Sequence, residues 1–476
     1  MNKVNQNYAP KTSPLPHQLE AINYIHNNQI IALFDEQGLG KTKIVIDALA
    51  LDMSEGIIQG VLVISPMSLL LNWEQEVHKH SFLLPIVLKG SGKEKRYRYL
   101  TGANFYITNY ESIISELQRI KRFCKSRKIA IVLDESTRIK DPNTKTAQSI
   151  FQLSQYSVKR IIISGTPIAN KPYDIWSQFY FLDKGHLLSG DYNNFKSKFN
   201  IKNTEYEKNL VMLNECINEN SIRRMKEGVL HLPEKEYINI FVELSGKQLG
   251  LYNDLCDKLK IEITNIHGDI IFDESDAILK KLLRLTQISS NPFLVDKSYN
   301  ETPVKYIKLD ELVNSIIAQK EKVIIWSCFI DNIKLLKKRY KHHSPLAIYG
   351  DIPLKDRTSS INRFQEMDEN KIMILNPSTA REGITLTNAN NAIYIDRNFN
   401  LVDYLQSQDR IHRISQKKKC KIYKFLAKNT IDEYIEKYIE VKKNVASFIQ
   451  GDVNKIQKQS FQFLYNKAQI LRALGG

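Results

Sequence analysis

From residue 15 to about 183, short runs of consecutive apolar residues alternate with stretches of helical period, and the same alternation starts again near residue 305. The first series of runs covers 30–34, 60–65, 104–108, 130–133 and 160–164. The second covers 322–326, 345–349, 372–375, 391–395 and 421–425. Residues that are apolar at successive positions lose both strand faces to packing, which a parallel sheet covered by helices provides. Two α/β lobes follow, and ligands of such sheets sit beyond the carboxyl ends of the strands. The spacing predicts a loose arm over 1–14, a first lobe over 15–184 and helical insertions with an extended crossing over 185–304. A second lobe over 305–430 and a helical tail over 431–476 complete the expectation. A chain of 476 residues suits this number of domains.

The sharpest local signal is the apolar run at 30–34, followed by Asp35-Glu36-Gln37-Gly38-Leu39-Gly40-Lys41-Thr42 and an apolar helix over 44–51. Strand, glycine-bearing loop and helix form the context of a phosphate-binding loop. Backbone N–H groups and the helix N-terminus cradle phosphate oxygens there. Lys41 would neutralise the β/γ charge and the Thr42 hydroxyl would hold Mg²⁺. Asp35 occupies the position where the general pattern has its first glycine. A second signal is Ala130-Ile131-Val132-Leu133-Asp134-Glu135, an apolar strand ending in two carboxylates. Asp134 is placed for the Mg²⁺ shell and Glu135 for the attacking water. A strand ending in acidic residues is common by itself; within one α/β series, after such a loop, it predicts nucleoside triphosphate hydrolysis.

Further residues carry a family resemblance. Leu15-Pro16-His17-Gln18 precedes the loop, and Asp35–Thr42 resembles the D-E-M-G-L-G-K-T form of the Swi/Snf-type ATPases of helicase superfamily 2. Val63-Ile64-Ser65-Pro66 with Asn72-Trp73-Glu74, Thr108-Asn109-Tyr110-Glu111 and Asp134-Glu135-Ser136-Thr137-Arg138-Ile139-Lys140 are similar to its next motifs. Ser164-Gly165-Thr166-Pro167-Ile168-Ala169-Asn170 resembles its S-G-T-P motif. In the second series, Trp326-Ser327-Cys328-Phe329, Ala380-Arg381-Glu382-Gly383-Ile384 and Gln406-Ser407-Gln408-Asp409-Arg410-Ile411-His412-Arg413 take their expected places. The chain departs from the pattern at Thr137, where the box has histidine, at Arg381, where glycine is common, and at Ser415, also a glycine in the family.

The resemblance implies two RecA-like lobes with ATP between them, and Arg410 and Arg413 reaching the nucleotide from the second lobe. It assigns ATP binding to Gln18, Glu36, Gly38, Leu39, Gly40, Lys41, Thr42, Gly383 and Gln406. It assigns catalysis to Lys41, Asp134, Glu135, Arg410 and Arg413, and coupling to Thr137, Ser164 and Thr166. Nucleic-acid contacts would come from Ser65, Trp73, Thr108, Asn109, Ser327, Ser378 and Thr379, which hold phosphates without reading sequence.

Composition narrows the partners. The formal net charge is +16, which suits a polyanion. Double-stranded DNA is the expected one, with separate effector subunits as further partners. No apolar run approaches the ~20 residues of a membrane span, and the expected compartment is the cytoplasm. Five cysteines, none in a C-x-x-C pair, exclude a disulfide framework and a structural zinc site from the expectation. Two rival readings stay open at this point: a strand-separating DNA or RNA helicase, and a nucleotide-switched scaffold that recruits an effector without stepping.

Overall fold

The computed structural model of the chain describes residues 9–168, 171–200, 203–230, 232–265, 275–382, 384–453, 463 and 466–475. Most of the expected arm, much of the tail after 453, Ala169, Asn170 and Gly383 therefore lie outside the described residues. The chain forms two compact units: Met1–Leu230 with Ala446–Asn454, and His231–Val445 with Lys455–Gly476.

The first unit is built on seven parallel strands: β1 (Ile30–Leu33), β2 (Gly60–Ser65), β3 (Pro85–Val87), β4 (Phe105–Asn109), β5 (Ile129–Asp134), β6 (Lys159–Ile163) and β7 (Ser221–Ile222), in the order β3-β4-β2-β5-β6-β1-β7. Every residue of β2 and β5 is buried, as continuous apolar runs require. Helices α1 (Pro16–Asn27), α2 (Lys41–Ser54), α3 (Leu70–His80), α4 (Gly92–Arg98), α5 (Tyr110–Lys125), α6 (Lys145–Ser154) and α7 (Trp176–Asp183) alternate with the strands. α5 buries Ile113, Glu116, Ile120 and Phe123 along one stripe, the spacing of a single helix face. α6 starts where the Thr144 side chain accepts the amide of Ala147. The helices α8 (Tyr192–Lys198), α9 (Tyr206–Glu219) and α10 (Lys226–Val229) follow, with β7 between the last two.

Register decides what the sheet presents. Leu33 of β1 and Asp134 of β5 both pair with Ile163 of β6, so these three strands end level. Ile64 pairs with Leu133, which brings Ser65 level with Asp134. The loop after β1, the Asp-Glu pair and the Ser-Gly-Thr-Pro segment thus leave the sheet along one edge.

In the second unit, β8 (Lys235–Val242), β9 (Val323–Trp326), β10 (Leu346–Ile348), β11 (Ile372–Leu375), β12 (Asn391–Tyr394) and β13 (Cys420–Ala427) form a parallel sheet in the order β10-β11-β9-β12-β13-β8. The extended crossing expected between the two lobes is a strand, β8, which pairs with β13 over its whole length. Its alternating burial, with Tyr237 and Phe241 exposed, is that of a sheet edge. Around the sheet run α11 (Gly246–Thr264), α12 (Ser275–Ser290), α13 (Val304–Ala318), α14 (Ile330–Arg339), α15 (Leu354–Glu366), α16 (Leu401–Gln408), α17 (Ile431–Ile449) and α18 (Lys467–Ala473). Successive strand residues serve two cores. Val323, Ile325, Ile372 and Ile374 pack with Leu309, Val313, Ile333 and Leu336 of α13 and α14. Ile324, Trp326, Met373 and Leu375 pack on the other side with Phe364 of α15 and Ile411. Burying one such side chain contributes about 1.5–3 kcal/mol.

Among the described residues, no helix is long and apolar enough to cross a membrane, and no group of three or more His, Cys, Asp or Glu could hold a metal ion. All five cysteines are free.

Candidate active site

The loop between β1 and α2 reaches its shape through two glycines with positive φ, Gly38 at 91° and Gly40 at 82°. This is a left-handed conformation that side chains disfavour. A Cβ on Gly40 would also fall 2.4 Å from Nε2 of Gln18. The segment before α1 braces the loop from that side: His17 Nε2 and Gln18 Nε2 both donate to the carbonyl of Leu39, at 3.1 and 3.3 Å. Gln18 Oε1 accepts from the amide of Leu15.

Lys41 opens α2. Its Nζ donates to the loop's own carbonyls, Asp35 at 2.8 Å and Glu36 at 3.3 Å. Burial pulls the ammonium below the ordinary lysine value, while the nearby carboxylates of Glu135, Asp35 and Asp134 pull it back up. One cation thus faces the two carboxylates at the end of β5, and Thr42 lies in the same first turn.

Asp134 is buried, and burial raises its carboxyl above the usual carboxylate value. Four groups oppose that rise. Trp73 Nε1 and Ser65 Oγ donate to Oδ2 at 2.8 and 2.9 Å, the amide of Glu135 donates to Oδ1 at 3.0 Å, and Lys41 lies nearby. The Tyr110 hydroxyl donates to the Asp134 carbonyl at 2.7 Å. Glu135 sits at φ 50°, ψ 53°, a region that costs a non-glycine residue about 1–3 kcal/mol and persists where surrounding structure imposes it. This left-handed residue breaks the extended course of the backbone directly where β5 ends.

The loop's acids are neutralised by one basic segment. Phe34 N donates to the Ile222 carbonyl at 2.8 Å and Glu36 N to the Arg224 carbonyl at 2.9 Å, which extends the β1–β7 pairing past the strands. Arg224 grips the fully buried Asp35 with Nε at 3.0 Å and with Nη2, and donates to the His17 carbonyl. Glu36 accepts the Lys226 amide at 2.7 Å and lies 3.7 Å from its ammonium. Arg223 donates to the Phe34 carbonyl and holds Asp452 through Nε and Nη2, all at 2.6–2.7 Å.

The Ser-Gly-Thr-Pro segment packs against the loop. A Cβ on Gly165 would lie 2.5 Å from Gln37 Cγ and 3.3 Å from Lys41 Nζ. Ser164 Oγ accepts the Thr166 amide. Ser136 Oγ donates to Gln178 Oε1 at 2.6 Å, and Gln178 Nε2 donates to the Pro167 carbonyl at 2.8 Å. The direct bridge between the Asp-Glu box and this segment therefore runs through Ser136 and Gln178. Thr137 sits half-buried in the 3₁₀ turn Ser136–Ile139.

In the second unit, Arg410 Nε donates to the Gln406 carbonyl at 3.1 Å and Nη1 to the Ile384 carbonyl at 3.4 Å. Arg413 Nε donates to the Asp409 carbonyl and Nη1 to Thr385 Oγ1, both at 2.9 Å, and burial lowers its guanidinium from the usual value. Both arginines follow α16 and fasten the 384–385 turn. Gln406 is buried, with Oε1 unpartnered among the described residues.

Six of the seven side chains expected at a nucleic-acid backbone are buried, and only Ser378 is exposed. Ser65 and Trp73 donate to Asp134, and Ser327 donates to the buried Asp396 at 2.7 Å. Asn109 is bound to Glu111 and Ser112, Thr379 caps its own turn at the Asn376 carbonyl, and Thr108 is 2% exposed within β4.

The donor set fits a nucleoside triphosphate with Mg²⁺. A hydroxyl and a carboxylate are hard oxygen ligands of the kind Mg²⁺ takes together with substrate phosphates. Buried polar atoms of Gln37, in the loop, and of Thr166, next to Gly165, have no partner among the described residues. Sequence reasoning missed Gln37, Gln178 and the pairing of Asp35 and Glu36 with Arg224 and Lys226. The sequence itself offers only the neighbouring cations Arg223, Arg224 and Lys226, with no sign of what they pair with.

The chain is similar to known proteins over most of its length. An "Uncharacterized ATP-dependent helicase MG018" of Mycoplasma genitalium is 31% identical over 440 residues, 88% of this chain and 40% of the relative. The ISWI chromatin-remodeling complex ATPase ISW1 of Saccharomyces cerevisiae is 28% identical over 450 residues, 88% of this chain and 39% of the relative. This chain thus spans well under half of either protein. Among solved structures, the Sulfolobus solfataricus SWI2/SNF2 ATPase core in complex with dsDNA is similar at 25% identity and a TM-score of 0.46, over 98% of this chain and 99% of that one. The model of the helicase conserved C-terminal domain matches residues 305–415, which include Arg410 and Arg413. The model of the SNF2-related domain matches residues 17–294, from His17 through Lys41, Asp134 and Lys226, and with more than half of its length so matched the chain belongs to the SNF2-related family.

Proposed function

We propose that this chain is an ATP-driven translocase on double-stranded DNA, acting in the cytoplasm with Mg²⁺ and with separate effector subunits. The observation that supports it most is the meeting of Lys41 with Asp134 and Glu135 where neighbouring strands end level, under a loop shaped by Gly38 and Gly40.

Phosphoryl transfer needs positioning and charge stabilisation more than covalent help. The loop's N–H groups and the start of α2 would receive the phosphates. Lys41 would exchange its bonds to the Asp35 and Glu36 carbonyls for phosphate oxygens. Thr42 and Asp134 would hold Mg²⁺, which when bound neutralises developing charge on the phosphates. Glu135, already turned by its backbone, would orient the attacking water. Arg410 and Arg413 would add positive charge to the transferring group, a contribution of about 10³- to 10⁵-fold in rate where arginine fingers act. A cycle of nucleotide binding and release then drives alternating grip on one strand. The net charge of +16 suits a nucleic acid, and relatives named as chromatin-remodeling complex ATPases favour duplex DNA.

The test compares ATPase rates with duplex DNA, single-stranded DNA and RNA, together with displacement of a triplex strand. Duplex stimulation with triplex displacement is expected. Stimulation without displacement favours the nucleotide-switched scaffold, and unwinding of a fork favours the strand-separating helicase. Lys41→Ala, Glu135→Gln and Arg413→Ala are each expected to abolish hydrolysis, and unchanged turnover in the first two refutes the site.

A further inference from the structure

We propose that Gln37 reads the terminal phosphate of the bound nucleotide, so that the loop distinguishes a nucleoside triphosphate from a diphosphate. This inference rests on the nucleotide-site reading above.

Gln37 is 8% exposed, and both its amide atoms, Nε2 and Oε1, are buried without a hydrogen-bond partner among the described residues. Buried polar groups are ordinarily hydrogen-bonded, so a buried amide with neither atom engaged needs a reason. The rest of the loop is not short of partners. Asp35 has Arg224, Glu36 has the amide of Lys226, and Lys41 has two carbonyls. Packing fixes the stem of the Gln37 side chain. Its Cγ and the Lys41 ammonium converge on one point, 2.5 and 3.3 Å from where a Cβ on Gly165 would stand. The adjoining Thr166 hydroxyl is a third buried polar atom without a partner among the described residues.

Two unsatisfied amide atoms therefore belong to a side chain that packs with Lys41 around Gly165, and the next residue carries a third unsatisfied atom. A terminal phosphate completes the set. Its non-bridging oxygens accept from Nε2 of Gln37 and from the Thr166 hydroxyl, and Oε1 of Gln37 is left to accept from the attacking water. A diphosphate lacks the group that these atoms face. The family form of the loop quoted above carries methionine at this place, a side chain of nearly the same length with no donor. Gln37 thus adds hydrogen-bonding capacity to this chain with little change of shape.

The experiment measures binding of fluorescent ADP and of a non-hydrolysed imido analogue of ATP by the full chain, in wild type, Gln37→Met, Gln37→Glu and Lys41→Ala. Gln37→Met is expected to leave ADP affinity within about twofold and to lower the triphosphate-to-diphosphate affinity ratio about tenfold, the loss of one hydrogen bond to a charged group. Because it removes two unsatisfied buried atoms, it is also expected to melt about 2–4 °C higher without nucleotide. Gln37→Glu is expected to weaken the triphosphate analogue further by charge repulsion. An unchanged ratio in Gln37→Met, with binding lost in Lys41→Ala, overturns the role of Gln37 and leaves the nucleotide site standing. Equal loss of both nucleotides with a lowered melting temperature also overturns it, in favour of a packing role. A wild-type chain that binds neither nucleotide overturns the site reading and this inference together.

Discussion

At the scale of single residues, the structure ties Trp73 to the carboxylate at the end of β5. Its indole N–H and the Ser65 hydroxyl both donate to the same oxygen of Asp134, which leaves Oδ1 as the less occupied one. A buried carboxylate held by fewer donors is more costly to keep ionised. Trp73→Phe keeps an aromatic ring against Phe105, whose centroid lies 6.2 Å away, and removes one donor. The Mg²⁺ concentration for half-maximal ATPase is expected to rise several-fold, with nucleotide binding in the absence of Mg²⁺ unchanged; a Mg²⁺ titration checks it. Lys41, Asp134 and Glu135 were legible because their chemistry is carried by short contiguous motifs. The duty of Trp73 was not, because sequence gives no sign of which way an indole on the first turn of a helix points.

At the scale of elements, the apolar runs of both sheets were readable to within about a residue or two, since burial on two faces leaves an unbroken signature. β3 and β7 escaped notice because three and two residues carry no period. β8 was seen only as an extended crossing, although its alternation of Tyr237, Asn239 and Phe241 already marked an edge. The pairing of the nucleotide loop with residues 222–226 could not be read either, because its partners lie nearly two hundred positions apart. It nevertheless explains how a phosphate-binding loop tolerates Asp35 and Glu36. Breaking a buried pair by removing one partner costs about 3–5 kcal/mol, so Arg224→Ala is expected to destabilise the first unit by roughly that amount. Arg224→Ala combined with Asp35→Asn is expected to recover part of it, and urea unfolding of the two variants checks both statements.

At the scale of the whole molecule, charge governs the encounter with DNA. Counterion release makes such binding steeply salt-dependent. The duplex concentration that half-stimulates ATPase is expected to rise by at least about tenfold between about 50 and 200 mM salt, and a salt series of ATPase assays measures it. A flat response would show that the positive charge is spent elsewhere.

The link from Asp452 through Arg223 to the Phe34 carbonyl joins parts of the polypeptide that are translated far apart. A ribosome that has translated β1, the loop and even Arg223 still has more than two hundred codons to read before it supplies the carboxylate that fastens them. Nascent fragments that stop short of Asp452 therefore lack the fastening, and the Arg223 end of the clamp closes only after that carboxylate has been made.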